Sequence, residues 1–148
     1  MKIMKKIMSV LAVLFLALNV ACANEDRPIQ VEQLPAAAQK FIKAHFPDSK
    51  ISYAKIDDEL VYKEYEVMFA DGVKIEFNGD GEWKDVDCKF GAVPAAIIPK
   101  KIASYVAKNY PDAKIIKIDR DRRDYEVSLS NRLELTFDMK FNLVEIDD

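Results

Sequence analysis

Cysteine is almost missing from the 148-residue chain, which holds only Cys22 and Cys88. If the amino terminus is removed on export, Cys88 stands alone and no internal disulfide is available. The fold must then rest on its core. Histidine is scarcer still, with His45 the only one. One histidine and one remaining cysteine leave no zinc spacing. His45 falls in a predicted helix far along the chain from Cys88, so no cysteine–histidine pair suggests itself, and Cys88 reads as a small apolar residue at a strand end. No serine stands in a nucleophile-elbow context. Acids are plentiful, yet nothing singles out a carboxylate pair for acid–base work. No catalytic residue, metal ligand or cofactor is assigned.

A basic surplus is missing too. The chain has 22 Lys and Arg against 25 Asp and Glu. Three of those lysines lie in the first 23 residues, and the rest of the chain carries a net charge of −6. That balance excludes a nucleic-acid partner, whose phosphates need a cationic surface.

Long apolar runs are absent after the first stretch, which reads as an export signal. Lys2, Lys5 and Lys6 precede an apolar run over 7–18 broken only by Ser9. Ala21-Cys22-Ala23 supplies small residues for cleavage between Ala23 and Asn24. The run is short for a membrane span, so no stable insertion is expected once the signal is gone. The expected location is periplasmic or secreted. Lipid anchoring at Cys22 is the alternative, although Asn19 stands where a lipoprotein signal wants leucine.

What the chain does have is a repeat. Pro35, Pro47, Asp48, Lys50 and Ile51 recur as Pro99, Pro111, Asp112, Lys114 and Ile115, 64 residues on. Tyr65-Glu66-Val67, Phe77 and Asp87 recur as Tyr125-Glu126-Val127, Phe137 and Asp147, 60 residues on. Four residues are therefore missing from the second copy, in its counterpart of 51–63. Splitting the gap aligns Lys55-Ile56-Asp57 with Lys117-Ile118-Asp119. The expected organisation is a signal at 1–23, a first unit at 24–88, a joint at 89–98 and a second unit at 99–148.

Each unit opens with a helical period, predicted at 35–46 and 99–110, bracketed by prolines that suit a helix start and forbid its continuation. The period then switches to two. Strands are predicted at 51–57, 61–70, 73–78 and 82–88, and at 114–120, 123–130, 132–138 and 141–147, with turn signals between them. The expected fold is α+β: a tandem repeat of one helix plus four antiparallel strands. One continuous eight-stranded sheet with both helices on one face is favoured over two facing sheets, because each unit has one helix-sized apolar stripe.

Alternation sends Tyr65, Val67, Phe69, Val73, Ile75, Phe77 and Val86 to the helix side, matched by Tyr125, Val127, Leu129, Leu133, Leu135, Phe137, Val144 and Ile146. The opposite face is charged, but Tyr53, Tyr62, Met68, Trp83 and Leu143 also fall on it. Aromatics of this kind carry binding energy in interfaces, and these five are the candidate binding residues. Cross-strand pairing in an open sheet is their other explanation. Most lie in the first copy, so binding is expected to lean on it.

The segments FPDSKI (46–51) and YEVMFADGVKIEFNGDGEW (65–83), with YPDAKI (110–115) and YEVSLSNRLELTFD (125–138), resemble the PepSY-like, β-lactamase-inhibitor-protein-like domains of exported proteins in Bacteroides and relatives. The resemblance implies tandem helix-plus-four-strand units forming a curved sheet whose open face binds a protein. It brings no catalytic residues. The second copy departs from the pattern where Gly72 becomes Arg132 and Gly79-Asp80-Gly81 becomes Met139-Lys140-Phe141, so its hairpins are expected to differ in shape. The function expected is an exported, non-enzymatic binding module for an exported or envelope protein or peptide. A small-ligand or ion-responsive envelope protein is the alternative, using the acidic stretches Asp57-Asp58-Glu59 and 119–124. The turn 78–82 lacks the twelve-residue calcium pattern and reads as a hairpin.

Overall fold

In residues 26–148, which the computed structural model describes, the two helices stand where the proline brackets put them. The signal reading at 1–23, the Ala23–Asn24 cleavage and Cys22 lie outside the described residues. Helix α1 is Ala36–His45 and helix α2 is Lys100–Asn109. Pro35 and Pro99 sit at the N-cap positions. At the other ends, Phe46 and Tyr110 leave the helical region just before Pro47 and Pro111, each still donating its N–H to the carbonyl four residues back. The i, i+4 pairs Ala38/Ile42 and Ile102/Val106 are buried and face the sheet. Phe41 meets Phe77 edge-on at 5.7 Å, and Tyr105 meets Phe137 the same way at 5.6 Å. The two units thus repeat their packing as well as their sequence.

The sheet is single, continuous and antiparallel throughout, with strands in chain order. It has nine strands, one more than the sequence suggests: β1 (Arg27–Ile29), β2 (Ile51–Asp58), β3 (Lys63–Phe69), β4 (Lys74–Asn78), β5 (Trp83–Asp87), β6 (Ile115–Arg120), β7 (Asp124–Leu129), β8 (Glu134–Asp138) and β9 (Leu143–Asp147). The extra strand β1 pairs with β2 at the edge. Three residues centred on Pro28 give no alternation to read, and proline is tolerated on an edge strand. The repeats join where β5 pairs with β6. The joint is strapped to β6 as well, Cys88 and Val93 donating to the carbonyls of Ile116 and Ile115.

The core lies between the helices and one face of the sheet. Val67, Phe69, Ile75, Phe77 and Val86 fill the first unit, and Ile118, Val127, Leu129, Leu135 and Phe137 the second. Each such side chain contributes about 1.5–3 kcal/mol. Cys88 at the end of the first unit and Val93 and Ile97 of the joint belong to the same cluster, so the units share one core. Burial pushes the Cys88 thiol up to about 11, which keeps it protonated and unreactive.

Strand pairing relocates the missing four residues. Lys55, Ile56 and their partners Glu66 and Tyr65 match Asp119, Arg120 and their partners Glu126 and Tyr125. Tyr53 therefore corresponds to Lys117, and Lys55 to Asp119, not to Lys117. The whole difference lies in the β2–β3 hairpin, which adds the pairs Asp57/Glu64 and Asp58/Lys63 before it turns. Its tip closes from Glu59 N–H to the Tyr62 carbonyl, as the β6–β7 tip closes from Asp121 to Asp124.

The two hairpins in which the second copy lacks the glycines keep the shape of the first, against expectation. Asn78 Oδ1 accepts the N–H groups of Asp80 and Glu82, and Asp138 Oδ1 accepts those of Lys140 and Asn142. Gly81 (φ 85°) is matched by Phe141 (φ 64°), and Gly72 (φ 92°) by Arg132 (φ 75°). The side-chain cap holds the turn even where an L-residue must enter the left-handed region.

Candidate functional site

The face without helices carries a row of carboxylates laid directly across the strands. The pairing runs Lys55, Glu66, Glu76, Asp85, Asp119, Glu126, Thr136, Glu145, one residue per strand from β2 to β9. Five acids in succession oppose one another on β3 to β7. Like charges placed directly opposite are unfavourable, so such a row needs cations.

Those cations cover only part of it. Lys55 Nζ reaches Glu66 at 3.7 Å and Asp26 at 2.9 Å, and Lys74 reaches Glu76 at 3.6 Å. Lys117 stands between Asp85 at 3.5 Å and Asp119 at 4.0 Å. Beyond β6 the face holds Glu126, Glu134, Glu145 and Asp147, and none of these makes an ion pair among the described residues. Desolvation, then the charge of Glu126 and of Asp85, raises the Asp119 carboxyl to about 6. Desolvation also raises Asp85 and Glu126, the latter further by Glu134. Asp85 Oδ1 is buried with no hydrogen-bond partner among the described residues.

The five candidate residues separate into three places. Tyr53 and Met68 pair across β2 and β3 on the open face, where the Tyr53 hydroxyl donates to Glu66 Oε1 at 3.0 Å. Trp83 and Leu143 do not lie on that face. A bulge in each unit inserts one residue, Lys84 or Val144, so that Trp83 pairs with Phe77 and Leu143 with Phe137 on the helix side. Val144 correspondingly leaves the helix side and is exposed, as is Ile146 on the edge strand. Alternation alone miscounts at a bulge, because the extra residue flips every side chain beyond it. Tyr62 sits at the tip of the long β2–β3 hairpin, beside Leu60 and Val61, which are 107% and 90% exposed.

Tyr62 and Trp83 come together elsewhere. The turns β2–β3, β4–β5, β6–β7 and β8–β9 share one end of the sheet, where an open cleft of about 750 Å³ is walled by Tyr62, Trp83, Arg120, Arg122, Tyr125 and Met139. Trp83 packs on Phe41 at 6.4 Å. Arg120 lies over the indole at 3.9 Å, and its Nε donates to the Trp83 carbonyl at 2.9 Å. Alternation marks the open face as charged, but the alignment of its carboxylates in one row and the seating of Arg120 on Trp83 follow from strand register, including the β5–β6 pairing that joins the units.

No three His, Cys, Asp or Glu side chains among the described residues converge as a metal site. No described helix is long and apolar enough to cross a membrane.

The model of the PepSY-like family, described as beta-lactamase-inhibitor-like, matches residues 20–63 and 63–145. No curated protein matches the chain. Solved structures do, among them three from Bacteroides. One, from Bacteroides vulgatus and provisionally described as periplasmic, is 54% identical over 85% of this chain and 99% of its own, with a TM-score of 0.82. Another, from Bacteroides thetaiotaomicron and provisionally described as a calcium-regulated periplasmic protein, is 58% identical over 83% of this chain and 97% of its own, also at 0.82. A further Bacteroides vulgatus protein, provisionally described as periplasmic and of unknown function, is 40% identical over 83% of this chain and 99% of its own, at 0.79. With its repeated helix-and-sheet unit, its single open sheet and these matches, the chain belongs to the PepSY-like, beta-lactamase-inhibitor-like family.

Proposed function

We propose that the protein is a non-enzymatic binding module of the cell envelope that holds a cationic segment of a protein or peptide over its open sheet face. The carboxylate row carries this reading. Its lysines are confined to β2–β6, and over β7–β9 Glu126, Glu134, Glu145 and Asp147 form no ion pair among the described residues. A partner's lysines or arginines would supply what the fold leaves out, and Tyr53 and Met68 would add apolar contact at the other end of the same face. The centre of charge shifts the reading toward the second unit, away from the first. The leader pattern and the description of the relatives as periplasmic support an envelope location, and intact mass checks it. A mature chain starting at Asn24 fits a soluble protein, whereas acyl mass on Cys22 fits the anchored alternative.

Calorimetric titration with an extended peptide of alternating lysine and valine tests the binding surface. Wild type binds, and Glu126→Gln/Glu134→Gln weakens binding by about tenfold. Glu32→Gln/Glu82→Gln, away from the row, leaves it unchanged. Equal binding by all three proteins contradicts the assignment, because bulk negative charge then accounts for it.

A second reading, response to calcium, is favoured by the 58% identical relative described in those terms. The same unpaired carboxylates are the oxygen donors it would draw on. Thermal stabilisation by calcium and not by magnesium supports it; no shift with either removes it.

A further inference from the structure

The cleft between the hairpin tips holds a guanidinium that, among the described residues, is hydrogen-bonded through Nε alone. Arg120 is fixed by the Trp83 ring at 3.9 Å and by the Trp83 carbonyl, to which its Nε donates at 2.9 Å. Its two terminal nitrogens make no hydrogen bond or ion pair among the described residues. A half-buried guanidinium whose Nε is already engaged presents its two terminal nitrogens as paired donors in the geometry a carboxylate accepts.

The acids around the cleft are occupied or solvated. Glu64 pairs with Lys84. Asp121 Oδ1 accepts the N–H groups of Arg123 and Asp124 at 2.7 and 3.1 Å, which lowers its pKa. Asp80 and Glu82 are exposed on their turn. Beside Arg120, the cleft presents Trp83, Tyr62 and the half-exposed Met139. Next to Tyr62 on the same tip, Leu60 and Val61 are fully exposed. This longer tip exists only in the first unit, where the four additional residues lengthen the hairpin.

We propose that this cleft is a second binding site, for an apolar residue bearing a free carboxylate. The carboxylate is received by the terminal nitrogens of Arg120, and the apolar group lies against Tyr62, Trp83 and Met139. The chemistry fits the C-terminal residue of a peptide or a small aryl or alkyl acid. The site is separate from the carboxylate row and of opposite charge preference.

Trp83 is the only tryptophan in the chain, so its emission reports directly on the cleft. N-acetyl-L-phenylalanine and the tripeptide Ala-Ala-Phe are the probes, each with its C-terminal amide as control. Both acids are expected to change the emission saturably and to bind about tenfold more tightly than their amides, because the amide cannot accept the paired guanidinium bonds. Tighter binding of the tripeptide indicates a peptide end; tighter binding of the acetylated residue indicates a small acid. Arg120→Gln alters the tryptophan's surroundings by itself, so its effect is read on the ligand by saturation-transfer NMR, with circular dichroism confirming the fold. Loss of the transfer signal is expected in Arg120→Gln and its retention in Glu126→Gln/Glu134→Gln. Equal affinity for acid and amide, an undiminished signal in Arg120→Gln, or no saturation up to about 10 mM overturns the proposal.

Discussion

Trp83 shows how one residue's role changes once its neighbours are known. The sequence marks it as an unusual aromatic on a charged face. The fold turns it toward Phe41 and caps it with Arg120, so it belongs both to the core edge and to the cleft. Trp83→Ala is expected to cost about 2–4 kcal/mol in denaturant unfolding, and Trp83→Phe less than about 1.5 kcal/mol, since the smaller ring keeps the Phe41 contact. Asp119 gives a pH prediction. Its carboxyl is raised from an ordinary value near 3.8 to about 6 by desolvation first and by Glu126 and Asp85 next. The folded state therefore holds this proton more tightly than the unfolded chain. Its contribution favours folding below the unfolded value and is lost as pH rises through about 6. Asp119→Asn should raise the melting temperature at neutral pH and flatten its decline between about pH 4 and pH 6, as thermal melts across that range will register. An unaltered slope would assign the raised carboxyl to another position in the row.

At the scale of elements, the helices and turns were legible and the bulges were not. Proline brackets and i, i+4 spacing mark α1 and α2 to within a residue at each end, because both signals are local. The bulges that admit Lys84 and Val144 depend on pairing with Glu76–Phe77 and Thr136–Phe137, which no local pattern records. Alternation therefore sends Tyr53, Met68, Trp83 and Leu143 alike to the open face, and only Tyr53 and Met68 lie there. The β2–β3 tip is similar: its length was visible as a gap, but the gap's position became clear only from the register. The glycine turns give a prediction at this scale. A Cβ on Gly81 would stand 2.7 Å from the Pro35 Cβ and 3.0 Å from the Ala38 nitrogen, at φ 85°. Gly81→Ala should therefore destabilise by at least about 2 kcal/mol, through backbone strain and through the start of α1. Arg132, exposed at φ 75°, is the reverse case. Arg132→Gly should stabilise by about 0.5–1 kcal/mol, the left-handed cost relieved less the added chain entropy. Chemical denaturation of both variants checks the pair.

At the scale of the whole molecule, the repeat was readable because helix, turn and strand recur at nearly constant offsets. The charged open face was readable too, but the alignment of its carboxylates into one row was not, since strand register across the joined copies makes it. The row of carboxylates crosses from β3–β5 into β6–β7 through the Asp85/Asp119 pair, one residue from each unit. The cations of the face lie on β2–β6, and its acids without an ion pair among the described residues lie on β7–β9. The most direct test of the account is amide chemical-shift mapping while the lysine–valine peptide is added. Perturbations are expected at Glu66, Glu76, Asp85, Asp119, Glu126 and Glu134 and their cross-strand neighbours, with the outward faces of α1 and α2 unmoved. Perturbations centred on the helices, or scattered without regard to face, would contradict the claim that the open sheet is the binding surface.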